Sequence, residues 1–284
     1  MLFKEAVPQY LHNLALEDGL NIPIKTRQLK QHITPYFGDF DLSALRKLDI
    51  EAFKRHLREK DFSPATVNRY LSTLSNFLNK SVEYGWLDRI PCKAPKYRED
   101  NIRSRYLLPA EIEALRKASA NDTCPIIEPF IRIALGSAMR RMEILSIELA
   151  NIHLAHQEIF IPKAKTGART QPITKTLARY LAKYIPSQCK PEQRFLFPAN
   201  SSTGHRMEIE KPFYRVVTKA GLDRYEVTRH TLRHTAITHL VQAGVDLPTV
   251  QRFSGHRSIQ MVFRYSHQSK DHLHNALGKL DKRI

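Results

Sequence analysis

Apolar residues recur at three- and four-residue spacing along almost the whole chain, and the period changes in one place only. In "SPATVNRYLSTLSNFLNKSVEYGWL", Val67, Tyr70, Leu71, Leu74, Phe77 and Leu78 share one helical face, with Ser63 as N-cap and Pro64 at the first helical position. Before it, "AVPQYLHNLALEDG", "IKTRQLKQHITPYFG" (stopped by Pro35 and Gly38) and "LRKLDIEAFKRHLREKDF" read as helices, so a bundle of four to five is expected. The exception is "HQEIFIPKAKTGARTQPIT", which alternates as two short strands around Thr166-Gly167. The pattern predicts a mainly α protein with a small antiparallel β-hairpin or sheet in its second half, a mixed α+β region.

The 284 residues suffice for two domains. Residues 1–90 form the expected helical domain, and 91–106, "PCKAPKYREDNIRSRY", have the Pro-rich, charged composition of an exposed linker. A second domain is expected over 107–268 and a basic tail over 269–284. Lys and Arg outnumber Asp and Glu by 45 to 28, a formal charge of +17. A folded chain this basic points to a polyanion, nucleic acid first and an anionic membrane surface second. No apolar run approaches the roughly 20 residues of a membrane span, and residues 1–19 lack a signal-peptide core. A cytoplasmic, nucleoid-associated protein is expected. Cys92, Cys124 and Cys189 are few and widely spaced, which fits a reducing compartment and no cysteine-based zinc site.

"TRHTLRHTAITHL", residues 228–240, crowds three histidines and two arginines onto one helical segment. On a wheel of about 100° per residue, Arg233 falls between Leu240 and Ile237, inside an arc with Leu232, Ala236 and Val241. His230 falls in the same arc, whereas Thr231, Thr235, Thr238 and His239 take the outer side. A guanidinium on an apolar arc needs a partner, because an unpaired buried charge costs several kcal/mol, roughly 3–5. That partner is either an internal carboxylate or a bound phosphate. His230 and His234 have the spacing of a zinc-binding H-E-x-x-H helix, but the glutamate base is missing and Arg233 would sit beside the metal.

Three further elements surround this one. "SAMRRMEIL" puts Arg140 at a helix start after a tight break, among apolar Met139, Met142, Ile144 and Leu145. "PKAKTGART" puts Lys165 beside the hairpin turn, and "FSGHRSIQMVFRYSH" sets His256 after Gly255 and Tyr265 nine residues on. Singly these read as a solvated arginine, an exposed turn lysine and a core tyrosine packed with Met261 and Val262. Together, "SAMRR-ME", "KTG-R", "HTLRHT", "GH" and "RYSH", in that order, resemble the signature of the tyrosine recombinases, the phage integrase family. "FSPATVNRYLSTLSNFLNKSVEYGWL" is similar to the end of that family's core-binding domain, and "LLPAEIEAL" to the start of its catalytic domain. The family's usual Thr-Gly before the first arginine is Ser137-Ala138 here, its usual Gly before the glutamate is Met142, and "LGH" is "SGH".

The resemblance implies roles. Tyr265 is the nucleophile; Arg140, Arg233 and His256 grip the non-bridging phosphate oxygens; His230 acts as base or acid; and Lys165 protonates the leaving 5′ oxygen. Glu143, His234 and His267 support the site. Transfer of the phosphodiester to a tyrosine conserves bond energy, so no ATP, cofactor or catalytic metal is expected. The implied partners are double-stranded DNA at specific recombination sites, further copies making a homotetramer on two duplexes, and accessory DNA-bending or directionality proteins. The tail is expected to dock on a neighbouring protomer, and a separate N-terminal arm-site domain is expected to be absent. An integrase of a phage or other mobile element is the favoured role. The alternatives are a Xer-like dimer resolvase, a DNA-binding protein that has lost cleavage, and a metal-dependent nuclease.

Overall fold

A computed structural model describes residues 1–99, 105–164 and 167–265. The chain divides into two compact units, Met1–Asn101 and Ile102–Ile284. Among the described residues no helix is long and apolar enough to cross a membrane.

The first unit is helical: α1 (Phe3–Leu16), α2 (Ile22–Gln28), α3 (Thr34–Phe37), α4 (Lys47–Glu59) and α5 (Pro64–Glu83). Ser63 caps α5, its Oγ accepting the Thr66 amide at 3.2 Å, with Pro64 in the first turn. The apolar stripe of α5 buries Val67, Leu71, Leu74, Phe77 and Leu78 against the bundle core. That core is aromatic: Phe77 lies 4.5 Å from Phe3 and meets the Tyr10 ring edge-on at 5.2 Å, centroid to centroid. The buried Tyr10 ring keeps its hydroxyl paired by donating to Asn76 Oδ1 at 2.7 Å. Pro35 does not stop the second helix. A π turn over Leu29–Ile33 runs straight into α3, where Pro35 occupies the first turn and its missing N–H costs nothing.

The expected linker is anchored at both ends of its described part. Asn68, on α5 and 4 % exposed, accepts the Tyr97 amide at 2.8 Å and donates to the Tyr97 carbonyl at 2.9 Å. Cys92, Ala94 and Tyr97 pack on the first core. Residues 100–104 lie outside the described residues.

The second unit carries α6 (Pro109–Ala120), α7 (Ile127–Ser137), α8 (Arg141–Leu145), a sheet, α9 (Lys175–Gln188), α10 (Glu210–Lys219), α11 (Arg229–Gln242), α12 (Leu247–Ser254) and α13 (Gln260–Phe263). The sheet is antiparallel in the order β1 (Ile152–His153), β2 (Glu158–Ile161) and β3 (Arg169–Pro172). Ile161 opposes Arg169 and Glu158 opposes Pro172, so the period-two stretch forms the expected hairpin. β1 escaped the sequence reading because two residues are too few to show alternation. Ile159 and Ile161 of β2 enter the main core with Ile127, Phe130, Leu145, Phe197, Phe213 and Leu232. A smaller cluster of Ala138, Ile237, Val241, Val250, Val262 and Tyr265 lies apart from it.

The outer face assigned to α11 is not solvent-facing. Thr231, Thr235 and Thr238 are at most 4 % exposed. Thr235 Oγ1 accepts the Leu107 amide at 2.9 Å, and His239 Nε2 meets the Leu107 carbonyl at 2.9 Å. Residues 105–107 therefore lie across that face, and His239 serves the backbone rather than solvent. Wheel geometry sorts polar from apolar residues but does not reveal which polar face a neighbouring segment will cover.

Replacing Asn68 by Ala leaves the Tyr97 amide and carbonyl without partners, a cost of about 1–3 kcal/mol. Hydrogen exchange should show the Tyr97 amide losing protection while the α5 amides keep theirs.

Candidate active site

The break between α7 and α8 sets the site. Ala138 adopts a left-handed conformation (φ 52°) and is fully buried, at a position where the resembling family usually has Gly. This turn aims the Ala138 carbonyl at α11 and starts α8 with Arg140 as its N-cap. Gly255, also left-handed (φ 63°), ends α12, and a Cβ there would come within 2.5 Å of Arg169 Nη1. Glycine takes the left-handed turn without strain and leaves room for the Arg169 guanidinium.

Arg233 projects from α11 into the space between these turns and is 3 % exposed. It donates to the Ala138 carbonyl and to the Ser254 carbonyl, each at 2.6 Å, and its Nη2 lies 3.4 Å from His256 Nε2. Among the described residues no carboxylate pairs with it. Burial, then the charge of Arg140, push its pKa down to about 10, so it remains cationic at neutral pH. The carbonyl dipoles hold the fork in place without neutralising it.

Arg140 donates through Nη1 to Glu143 Oε1 and through Nη2 to the Gly255 carbonyl, both at 2.9 Å. Glu143, 7 % exposed, also accepts the Arg140 amide at 2.9 Å and Arg169 Nη2 at 2.8 Å. Burial raises the Glu143 pKa, but these hydrogen bonds and charges outweigh it, and the carboxyl lies below its ordinary value. One carboxylate thus orients two arginines. Arg169 and Gln171 alternate onto the inner face of β3, where Gln171 is fully buried and donates to the Phe253 carbonyl at 2.9 Å. Neither residue was assigned a role from sequence. Arg169 was visible as the arginine of "KTG-R", but its partner Glu143 lies 26 residues upstream.

His256 is held through both ring nitrogens. Arg233 can only donate, so Nε2 accepts and the proton sits on Nδ1, 2.6 Å from Ser254 Oγ, which in turn donates to the Gln251 carbonyl. Burial and the neighbouring arginines depress the His256 pKa to about 3.

Tyr265 is 4 % exposed, and its hydroxyl lies 2.6 Å from His234 Nδ1. Burial raises the phenol's pKa above its ordinary value, against a smaller opposite pull from Arg233 and Arg264. Burial and the nearby cations hold His234 down to about 4, so the pair is neutral at pH 7. The His230 ring meets the His234 ring edge-on at 4.6 Å. His230 itself departs from the wheel reading, being exposed while Arg233 is buried. It occupies the first turn of α11 and lines a cavity of about 460 Å³ with Arg233. Protein crowding and Arg233, Arg140 and Arg264 lower its pKa.

The structure therefore brings together Arg140, Glu143, His230, Arg233, His234, His256 and Tyr265 from four segments. Lys165, His267 and the 269–284 tail lie outside the described residues. Among the described residues no cluster of three or more His, Cys, Asp or Glu could hold a metal ion.

The sequence profile of the phage integrase family matches residues 105–272, and that of the phage integrase SAM-like domain matches residues 5–98. The chain belongs to the phage integrase family, the tyrosine recombinases. It is 26% identical to the tyrosine recombinase XerD of Listeria monocytogenes serovar 1/2a, over 94% of this chain and 95% of that one. It is also 26% identical to the tyrosine recombinase XerC of Listeria welshimeri, over 82% and 81% of the two chains. Its fold is shared with the Tn1549 transposon integrase in complex with circular intermediate DNA, at a TM-score of 0.76 and 19% identity, covering 99% of this chain and 100% of that one. The lambda integrase dimer bound to a COC′ core site superposes at 0.71 with 18% identity, covering 94% and 95%.

Glu143→Gln removes the anion shared by Arg140 and Arg169 and should destabilise the protein by about 3 kcal/mol, read from the urea midpoint. His256 fixes a pH dependence. Below its unfolded value of about 6.5 the unfolded imidazole takes up a proton that the folded one, at about 3, refuses. Stability should fall as pH drops from about 6.5 toward 4, and His256→Asn should flatten that slope in denaturation midpoints measured across the same range.

Proposed function

We propose that this protein is a site-specific DNA strand transferase that integrates or excises a phage or other mobile element through a tyrosine–DNA intermediate. The observation that carries this reading is Arg233, a buried guanidinium positioned by carbonyls and lacking an anionic partner among the described residues. Arg140, His230 and His256 converge beside it. A cationic pocket of this kind stabilises a phosphodiester most strongly when negative charge develops on its non-bridging oxygens. The +17 charge supplies long-range attraction for duplex DNA.

In the proposed reaction the Tyr265 hydroxyl attacks the phosphorus and the bond to the 5′ oxygen breaks. Its proton passes first to His234 Nδ1, the acceptor it already contacts. The products are a 3′-phosphotyrosyl bond and a 5′-hydroxyl, protonated by Lys165. A 5′-hydroxyl from partner DNA then reverses the step. One phosphoester replaces another, so the exchange draws on no ATP. An arriving phosphate adds negative charge beside His256 and favours its protonated, donating form. Assembly of four protomers on two duplexes, accessory bending proteins and a cytoplasmic, nucleoid-associated location belong to the same reading.

A second reading is a Xer-like dimer resolvase, supported by alignment with XerD over nearly the full length of both chains. Two directly repeated target sites on a plasmid dimer separate the roles: a resolvase converts dimer to monomers, whereas an integrase joins two unlike sites.

On a nicked suicide duplex carrying a candidate attachment site, the protein should form an adduct that survives denaturing gel electrophoresis and is insensitive to chelator. Absence of the adduct, or its persistence in Tyr265→Phe, defeats the enzyme reading. Arg233→Lys replaces a planar fork by a point charge and should slow adduct formation by about 10³-fold.

A further inference from the structure

The cavity holding His230 and Arg233 extends past them. Its remaining wall carries Arg141 from α8, Arg229 from α11, Met139, Thr228 and Glu208. Arg141 and Arg229 have no part in the proposed chemistry, yet both turn toward this space. Arg141 Nη1 donates to Glu208 Oε2 at 2.7 Å. Arg229 Nη1 is buried without a hydrogen bond, its nearest carboxylate oxygens being 3.6 Å away on Glu208 and 3.4 Å away on Glu210. Its guanidinium lies 5.7 Å from the centre of the Tyr214 ring, which restricts where the donors can point.

Glu208 is itself fixed. Its Oε1 accepts the backbone amides of Ile209 at 2.9 Å and Glu210 at 3.1 Å. A carboxylate pinned beside two arginines, with an arginine donor left unspent, has the arrangement of an anion site occupied by an internal substitute. About 460 Å³ leaves room for a group beside the one that Arg233 and His230 would hold.

We propose that Arg141 and Arg229 form a second phosphate subsite, which takes a DNA backbone phosphate neighbouring the reacting one, and that Glu208 is a built-in competing anion. This rests on the strand-transfer reading. An incoming strand exchanges the Glu208 contacts for phosphate contacts, and Glu208 then repels any phosphate not held by both arginines. The subsite thereby fixes the register of the strand relative to Arg233 and weakens loose, non-specific binding.

The test is salt titration of binding to a short duplex of arbitrary sequence, independent of cleavage. Arg141→Gln and Arg229→Gln should each reduce the slope of log affinity against log salt by about 1. Glu208→Gln should tighten binding about threefold or more at fixed salt, and that gain should vanish in the Arg141→Gln/Arg229→Gln background. Thermal melts confirm that each variant folds, and Arg141→Gln alone still decides the matter if Arg229→Gln does not. Wild-type slopes in the arginine variants, or weaker binding by Glu208→Gln, overturn the subsite. A wild-type protein that fails to bind duplex overturns the strand-transfer reading and the subsite with it.

Discussion

The second unit is organised around a buried charge that no carboxylate among the described residues pairs with. Arg233 lies in the second turn of α11, 3 % exposed, and is held by the Ala138 and Ser254 carbonyls. Both carbonyls come from turns, one after α7 and one at the end of α12, and each turn depends on a left-handed residue, Ala138 or Gly255. The backbone of two distant segments is thus shaped to present acceptors to one guanidinium. Carbonyl dipoles satisfy its hydrogen bonds and leave its net charge available.

Glu143 does for the surrounding arginines what the carbonyls do for Arg233. A single buried carboxylate joins Arg140 to Arg169, so α8 and β3 are locked together. Arg169 then closes against Gly255, whose carbonyl accepts from Arg140. The circuit returns to its start, and moving one member shifts the rest. Tyr265 is buried in a separate small apolar cluster, with its hydroxyl against His234. The same burial that raises the pKa of the phenol lowers that of His234, so both are neutral at pH 7.

Much of the site was legible along the chain. Arg233 on an apolar arc, Arg140 after a tight break, His256 after a glycine stop and Tyr265 nine residues on are local patterns, and local patterns reflect local sterics. The readings that failed concern coverage. Thr235 and His239 sit where a wheel puts solvent, but the Leu107 backbone lies there, and the residue 128 positions before Thr235 carries no sign of it. His230 shares the arc of Arg233, yet stays exposed in the first turn of α11, where it opens onto a cavity. Pro35 looks like a helix stop, and a π turn upstream absorbs it. The pairing of Arg169 with Glu143 crosses from hairpin to helix, a distance no periodicity spans.

The sequence by itself determined the helical character and the β2–β3 hairpin, because each rests on spacing within a turn or a strand, and its ordered motifs carried the resemblance to the family. Only the tertiary structure decided which charges would be neutralised and which left free. Glu143 is consumed by Arg140 and Arg169, Glu208 by Arg141, and Arg233 is left to the carbonyls. Electrostatic pairing is a matter of distance and burial in space, so chain order alone could not reveal that this arginine would be held by carbonyls while its neighbours took the carboxylates among the described residues.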